Sequence, residues 1–372
     1  MQKHILQVGM VPKTCGGTEV FIMNIFRNIN RDLIQFDFLV YDTKDELYFE
    51  KEINELGGTV YRKFYSALRH PIKRQIELYK LFAEHSEIVG VHFNATALFY
   101  IDVLLWAWIF KRPVRILHSH NTGYDSENYN LLLNIKHIIN KKIVGLFCTD
   151  FFACSEAAGK WMFGDKKFKV VPNAIDLHKY KFDNIIRIEY RKELNIGEND
   201  ICIGFVGRMA YQKNPEFAIE LMNTIVNKYK RGNIVLIMVG NGDDMDTIVE
   251  KIDEYNLINN VRVLGNRSDV NLILNAMDLY LFPSRYEGFG LSLLEAEANG
   301  VPCLISDNIP NEAIINNNII VRSLNDDLEM WMNDIYRLYK YGRIDSTHKL
   351  ISLGYDIKSM ADDISKIYLK IN

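Results

Sequence analysis

Short apolar runs recur along this chain and alternate with longer stretches in which apolar residues return every three or four positions. In the first half the short runs are HILQVGM (4–10), FDFLVYD (36–42), EIVGVHFN (87–94), RPVRILHSH (112–120) and GLFCTDFFACS (145–155). Between them lie TEVFIMNIFRNI (18–29), with a helical apolar stripe, a hydrophobic helix over 97–110 and another helix near 129–142. Strands that read as near-continuous apolar runs are buried on both faces, which is the habit of parallel sheets covered by helices. KVVPNAIDLHKY (169–180) closes this series at a proline-bearing turn, and RIEYRKELNIGENDI (187–201) reads as a short bridging helix.

A second series then begins with ICIGFVGR (201–208), NIVLIMVGNG (233–242), VRVLG (261–265), LYLFPS (279–284) and VPCLISD (301–307). Helices are predicted over 215–229, 243–256, 269–276 and 291–299 between these runs. The pattern predicts an α/β chain of two successive units, 1–180 and 181–350. A last helix within 351–372 has no strand after it and is expected to pack across the junction. Two open parallel sheets imply a crevice lined by the carboxyl ends of their strands, where ligands sit in such folds.

Composition narrows the class. The chain has 372 residues, 48% hydrophobic and 24% charged, which excludes disorder and collagen-like repeats and exceeds what one core usually fills. Five scattered cysteines with no CxxC read as reduced thiols. The longest apolar run, LFYIDVLLWAWIF (98–110), is interrupted by Asp102 and too short to span a bilayer, so it is expected as a buried helix. No leader precedes the first strand, and the expected location is cytoplasmic, peripheral at the inner face of the cell membrane where the partner demands it.

Charge is uneven. Residues 1–180 carry 23 Lys/Arg against 19 Asp/Glu, and residues 181–372 carry 21 against 28. The stretch 62–74 holds Arg62, Lys63, Arg69, Lys73 and Arg74 with no acid, either a solvated face or a contact for a phosphorylated or membrane-borne partner. A net charge of −3, with no zinc, RNP-like or basic-zipper spacing, argues against nucleic acid.

Candidate chemistry gathers at strand ends. SRYEGFG (284–290) follows a predicted strand and leads into a helix near Leu291, so backbone N–H groups from Gly288 through Phe289 and Gly290 to Leu291 form an anion-receptive helix start. Glu295, a turn further on, suits two ribose hydroxyls, and Glu287 stands at the mouth. Arg208 and Lys213 in VGRMAYQKN (206–214) end another strand and suit a diphosphate. Gly16 and Gly17 in CGGTE (15–19) permit close approach of a phosphate or sugar, but the run is neither GxGxxG nor a P-loop. His118 and His120 in HSHN (118–121) share a face if the strand continues. No third ligand at a recognised metal spacing accompanies them, so no metal site is expected.

Taken in order, GGTE, HSHN, VPNAID, GRMAYQKN, VGNGD and Glu287-GFGLSLL-Glu295 resemble the retaining glycosyltransferases of the GT-B class, family 4, of the bacterial capsule and exopolysaccharide type. The resemblance spans residues 9 to about 300 and implies two Rossmann-like domains facing across a deep crevice, with the C-terminal helix crossing back to the first. It implies transfer of a hexose or N-acetylhexosamine from a nucleotide sugar, UDP-linked before GDP-linked, to a saccharide or polyprenyl-diphosphate-linked acceptor, with retention and without a bound metal or permanent cofactor. By the same resemblance Glu295 is the ribose-binding carboxylate, Glu287 lies by the transferred sugar, and Arg208 with Lys213 neutralises the diphosphate. Gly16 and Gly17 lie against donor phosphate and acceptor, while Gly240 and Leu264, in VGNGD and VRVLGNRSD, belong to the nucleotide side, the latter reading the base through backbone groups. A histidine contacts the transferred sugar. His120 precedes Asn121 as the family's HN form does, whereas His118 sits nearer the strand end, and both stand. A nucleotide-sugar 2-epimerase, a sugar phosphorylase on the same plan, or a non-catalytic sugar-nucleotide-binding protein are the rival readings.

Overall fold

The computed structural model describes residues 2–13, 15–41, 44–63, 70–123 and 131–369. The chain divides into two units, residues 1–174 with 356–372, and residues 175–355.

The apolar runs of unit 1 form β1 (Lys3–Val8), β2 (Ile34–Tyr41), β3 (Val60–Lys63), β4 (Ile88–Ala95), β5 (Val114–Ser119), β6 (Asp150–Ala153) and β7 (Lys169–Val170). They make one sheet in the order β3-β2-β1-β4-β5-β6-β7, every pairing parallel. The order reverses between β1 and β4, the switch point where loops diverge and leave room at the strand ends. Helix Gly17–Asn28 covers one face, with Phe26 packed on Phe36 and Phe38 and Phe21 buried in the same core. The sequence pattern read one helix over 351–369. The structure has two, Thr347–Ser352 and Ile357–Leu369, because Gly354 turns left-handed (φ +84°) between them. Helix Ile357–Leu369 lays Ile357, Met360, Ile364 and Tyr368 into the core of unit 1.

Unit 2 is built from β8 (Ile201–Val206), β9 (Ile234–Val239), β10 (Val261–Gly265), β11 (Leu279–Phe282), β12 (Cys303–Ser306) and β13 (Ile319–Arg322), again all parallel, in the order β10-β9-β8-β11-β12-β13. Its switch point lies between β8 and β11. The bridging helix, Asn184–Glu193, is tied into this unit: Arg187 and Arg191 both bond Asp278, at 2.5 and 3.0 Å, and Asp278 accepts the Cys202 N–H. The turn at 175–180 is also counted with unit 2, since Ile175 N–H donates to the Tyr355 carbonyl at 3.1 Å.

Two expectations change. The run 98–110 is only half buried: helix Asp102–Ile109 turns Val103, Leu104 and Ala107 inward, while Trp108 and Ile109 stand 48% and 46% exposed. The basic stretch 62–74 is not an open cationic face. Arg74 is buried, forked onto Asp102 (2.9 Å for one arm) and stacked over Tyr41, and Arg62 pairs with Glu50. Arg69 lies outside the described residues. Among the described residues no helix is long and apolar enough to cross a membrane, and all five cysteines are unpaired with one another.

Candidate functional site

In unit 2 the loops after β8 and β11, neighbouring strands at the switch point, interlock. Arg285 N–H donates to the Gln212 carbonyl at 2.8 Å, Gln212 Nε2 to the Tyr286 carbonyl at 3.1 Å, and Arg285 Nη2 to Asn214 Oδ1 at 2.8 Å. Asn214, left-handed at φ +57°, ends the first loop and hands over to Pro215, which opens the next helix. This brings two of the sequence candidates together: Lys213 Nζ lies 2.6 Å from Glu287 Oε1, with side chains only 17% and 6% exposed, and 4.8 Å from the centre of the Phe282 ring. Arg208 is exposed just past β8, and its charge acts on Asp244.

Gly290 caps helix Leu291–Asn299 in the left-handed region at φ +93°, a conformation that glycine adopts without penalty. Phe289, 2% exposed, turns inward onto Tyr355 and anchors the loop, so Gly288 and Gly290 bracket a fixed ring. One turn along, Glu295 accepts from the Tyr180 hydroxyl at 2.7 Å. Burial pushes its carboxyl up to about 7, opposed by that hydrogen bond and by Lys179 and Lys213.

Gly240 and Leu264 serve the same edge in different ways. A Cβ on Gly240 (φ +130°) would stand 2.0 Å from the Gly207 carbonyl oxygen, so the glycine lets the turn after β9 lie on the turn that carries Arg208. Leu264 is the extra residue of a bulge: Val263 pairs with Met238 and Gly265 with Val239, leaving Leu264 without a register partner on the edge strand β10. Bulges of this kind re-aim backbone groups beside sites.

In unit 1 the switch-point loop after β1 leads to Gly16 and Gly17. Glu19 accepts from the backbone N–H of Gly16 (3.1 Å) and of Val11 (3.0 Å), which closes the loop on the helix start. A Cβ on exposed Gly17 would meet nothing within 4 Å, so packing does not demand glycine there.

The two histidines separate. His118 lies inside β5 and is fully buried, while His120 lies one residue past its end and is partly exposed. They join a polar network whose other members lie outside the sequence motifs: Gln7 of β1, His92 and Asn94 of β4, and Tyr368 of the last helix. Register puts Gln7 opposite His92 and Asn94 opposite His118, so all face the same side of the sheet. Gln7 Nε2 donates to Tyr368 Oη (3.4 Å), which shares a hydrogen bond with His92 Nδ1 (2.5 Å), and His92 Nε2 shares one with His118 Nδ1 (3.1 Å). Asn94 Nδ2 donates to Gln7 Oε1 at 3.1 Å, which leaves Asn94 Oδ1 to accept from His120 Nε2 at 2.9 Å. That bond fixes the proton of His120 on Nε2 and leaves Nδ1 as an acceptor. Phe21 lies 5.0 Å edge-on to both rings. Burial lowers His92 and His120 to about 3, and His118 well below its usual value, so all three are neutral near pH 7. The sequence signal for this network was the polar pair at period two, His92 and Asn94, inside an otherwise apolar strand. Among the described residues no group of three His, Cys, Asp or Glu side chains is set to hold a metal.

Two family models match the chain side by side: Glycosyltransferase Family 4 over residues 15–179 and Glycosyl transferases group 1 over residues 186–339. The putative glycosyltransferase EpsF of Bacillus subtilis (strain 168) is 28% identical over 99% of this chain and 96% of its own length. A UDP-Gal:alpha-D-GlcNAc-diphosphoundecaprenol alpha-1,3-galactosyltransferase of Escherichia coli is 28% identical over 80% of this chain and 79% of its own. Among solved structures, Anabaena HepE in complex with UDP superposes with a TM-score of 0.77 at 16% identity over 100% of both chains, a likeness of fold.

Proposed function

Since the chain belongs to the group 1 and family 4 glycosyltransferases, with two Rossmann-like units of the GT-B class, we propose that it moves a hexose or N-acetylhexosamine from a UDP-sugar to a saccharide or lipid-linked saccharide, with retention, in the synthesis of a capsule or related surface glycan. The observation that carries this reading is the interlocked loop pair of unit 2. It joins the Lys213–Glu287 ion pair to a glycine-led helix start, with Glu295 one turn behind.

Unit 2 takes the nucleotide. Glu295, as carboxylate, accepts from the two ribose hydroxyls, exchanging its bond from Tyr180 for bonds from the ligand. The amides at Gly290 and Leu291 receive the diphosphate at the positive end of the helix. The bulge at Leu264 offers backbone groups to the base. Arg208, exposed just past β8, grips phosphate oxygens, and Lys213 shares its ammonium between Glu287 and the departing oxygen. Glu287, held in place by Lys213, faces the sugar.

Unit 1 takes the acceptor. The open space at Gly17 suits a ligand, and His120 offers Nδ1 to a hydroxyl of the transferred sugar. His118 is buried in the sheet and supports the network from below. In the chemical step the bond from the anomeric carbon to the diphosphate oxygen breaks, and the acceptor oxygen attacks on the same face. The acceptor proton passes to the leaving diphosphate, whose charge Arg208, Lys213 and the helix end stabilise without a metal.

Calorimetry with a panel of UDP- and GDP-sugars tests the donor side. We expect a UDP-sugar to bind and Glu295→Ala to weaken it by about tenfold or more, the loss of hydrogen bonds to a charged group. Acceptor-dependent release of UDP then tests transfer. Absence of binding by every nucleotide sugar, or an isomerised donor formed without acceptor, overturns the reading.

A further inference from the structure

Right-handed crossovers set helices Pro71–Glu84, Asp102–Ile109 and Leu131–Ile143 together on one face of the unit 1 sheet. Their inner side packs through Leu78, Leu81, Phe82, Val103 and Leu104. Their outer side, which in a soluble helix layer is charged, is apolar over much of its width. On Leu131–Ile143 the exposed residues include Leu131, Leu132, Ile135, Ile138, Ile139 and Ile143, the first two at 72% and 66%, and only His137 is buried. Leu146, 71% exposed, extends the stripe by one more turn. On Pro71–Glu84 the exposed Ile72, Ile76 and Tyr79 sit at i, i+4 and i+7, one helical face.

Aromatic rings join these stripes into one band. Tyr79 packs 5.7 Å from Trp106 and 5.6 Å from Phe110, and Trp108 packs 5.7 Å from Phe147, next to Leu146. Charge around the band has one dominant sign. Residues 131–149 contain Lys136, Lys141 and Lys142 and no acid, and residues 103–123 contain Lys111, Arg112 and Arg115 and no acid. Lys111 and Lys142 are exposed. Helix Pro71–Glu84 adds two acids, Glu77, paired with Lys80 at 3.6 Å, and the exposed Glu84 at its last position.

A band this wide, with leucine and isoleucine at its centre, a half-exposed tryptophan and more lysines than acids beside it, matches the boundary between acyl chains and anionic headgroups. A protein interface core would instead be depleted of lysine. We propose that this three-helix face of unit 1 docks on an anionic lipid bilayer, lying in its surface. The choice of a membrane rests on the lipid-linked acceptor proposed above. The surface differs from the 62–74 stretch, whose Arg74 is spent on Asp102.

Flotation with vesicles of phosphatidylglycerol and phosphatidylcholine, against phosphatidylcholine alone, tests it. The wild-type chain should float with the anionic vesicles. Leu132→Glu with Ile139→Glu, both at exposed positions and so compatible with folding, should lose about a hundredfold in binding. Lys111→Glu with Lys142→Glu should lose roughly tenfold, a loss that added salt should reproduce in the wild type. Wild type that stays with the soluble fraction, or a Leu132→Glu/Ile139→Glu chain that floats undiminished, overturns the proposal. So does self-association of the wild type that this variant abolishes without any vesicle binding, which would assign the face to a second copy. UDP-sugar calorimetry on the same preparations separates the two readings: a chain that floats but binds no nucleotide sugar defeats the transfer reading alone, and one that binds donor but no vesicle defeats only this one.

Discussion

The two acids of the sequence motif, Glu287 before helix Leu291–Asn299 and Glu295 on it, differ in what holds them, and the helix carries a third carboxylate that matters. Glu287 is paired with Lys213, whereas Glu295 is opposed mainly by its own burial and sits near 7. If Glu295 accepts from ribose hydroxyls, the bound state favours its carboxylate, so donor affinity falls as pH drops through 7. Between pH 8 and pH 6 the wild-type donor Kd should rise several-fold in calorimetry, and Glu295→Gln should be weak and flat across that range. Glu297, two residues on, is fully buried and accepts the N–H groups of Ile315 (2.7 Å) and Asn316 (2.8 Å), yet burial pushes it up to about 7 as well. A carboxyl whose folded value is raised is protonated more readily in the native state, so its contribution to stability is greatest below the ordinary range near 4.5 and is lost as pH rises through 7. Glu297→Gln should therefore leave stability unchanged at pH 4.5 and raise it by on the order of 1–3 kcal/mol at pH 8, read from urea midpoints. A larger loss at pH 8 than at pH 4.5 would show that the ionised form is the stabilising one. Glu295 and Glu287 were legible as a spaced pair; Glu297 was not, because nothing in the string tells which helix face meets the loop at 315–316. His118 and His120 were equally ambiguous, since residues two apart share a face and only the end of β5 at Ser119 separates a buried ring from a partly exposed one.

At the scale of elements, the long parallel strands and their helices stood out in the apolar pattern, while β3 and β13 did not. Each is four residues long and lies at a sheet end, where half-exposure breaks the continuous apolar run. The interlock of the loops after β8 and β11 was also out of reach, because it follows from strand order rather than from sequence distance: 74 positions separate Lys213 from Glu287. That pair has a cost that a reading of two solvated cations misses. Lys213→Ala removes the ion-pair partner of a carboxylate with 6% exposure, and breaking a buried pair destabilises by about 3 kcal/mol or more. In Lys213→Ala with Glu287→Gln no charge is stranded. Thermal unfolding should find the single variant several degrees lower and the double variant largely restored, while acceptor-dependent UDP release is lost in both. A single variant as stable as wild type would mean that solvent reaches Glu287 freely.

At the scale of the molecule, the sequence pattern reads two α/β halves with a final helix beyond them, and Cα packing gives that helix to unit 1 although it follows the whole of unit 2 in the chain. Its hold is both apolar and polar. Ile357, Ala361, Ile364 and Tyr368 are at most 2% exposed, Phe36 meets the Tyr368 ring at 5.8 Å, and the Tyr368 hydroxyl bonds His92. Four such side chains at about 1–3 kcal/mol each outweigh much of the 5–15 kcal/mol that holds a typical domain. Unit 2 has its own core around Phe205, Trp331 and Ile335, and keeps Tyr355, whose hydroxyl donates to the Glu312 carbonyl at 2.9 Å. A chain ending at Tyr355 should thus lose the calorimetric transition of unit 1 and retain that of unit 2, with UDP-sugar binding preserved and transfer abolished. Tyr368→Phe offers the milder case: the ring and its packing stay, the bond to His92 goes, and the network beneath His120 loses its outer support. Turnover should fall while the donor Kd, set by unit 2, stays put. If truncation instead melts both transitions together, the two cores fold as one cooperative body and the assignment of the helix to unit 1 alone is wrong.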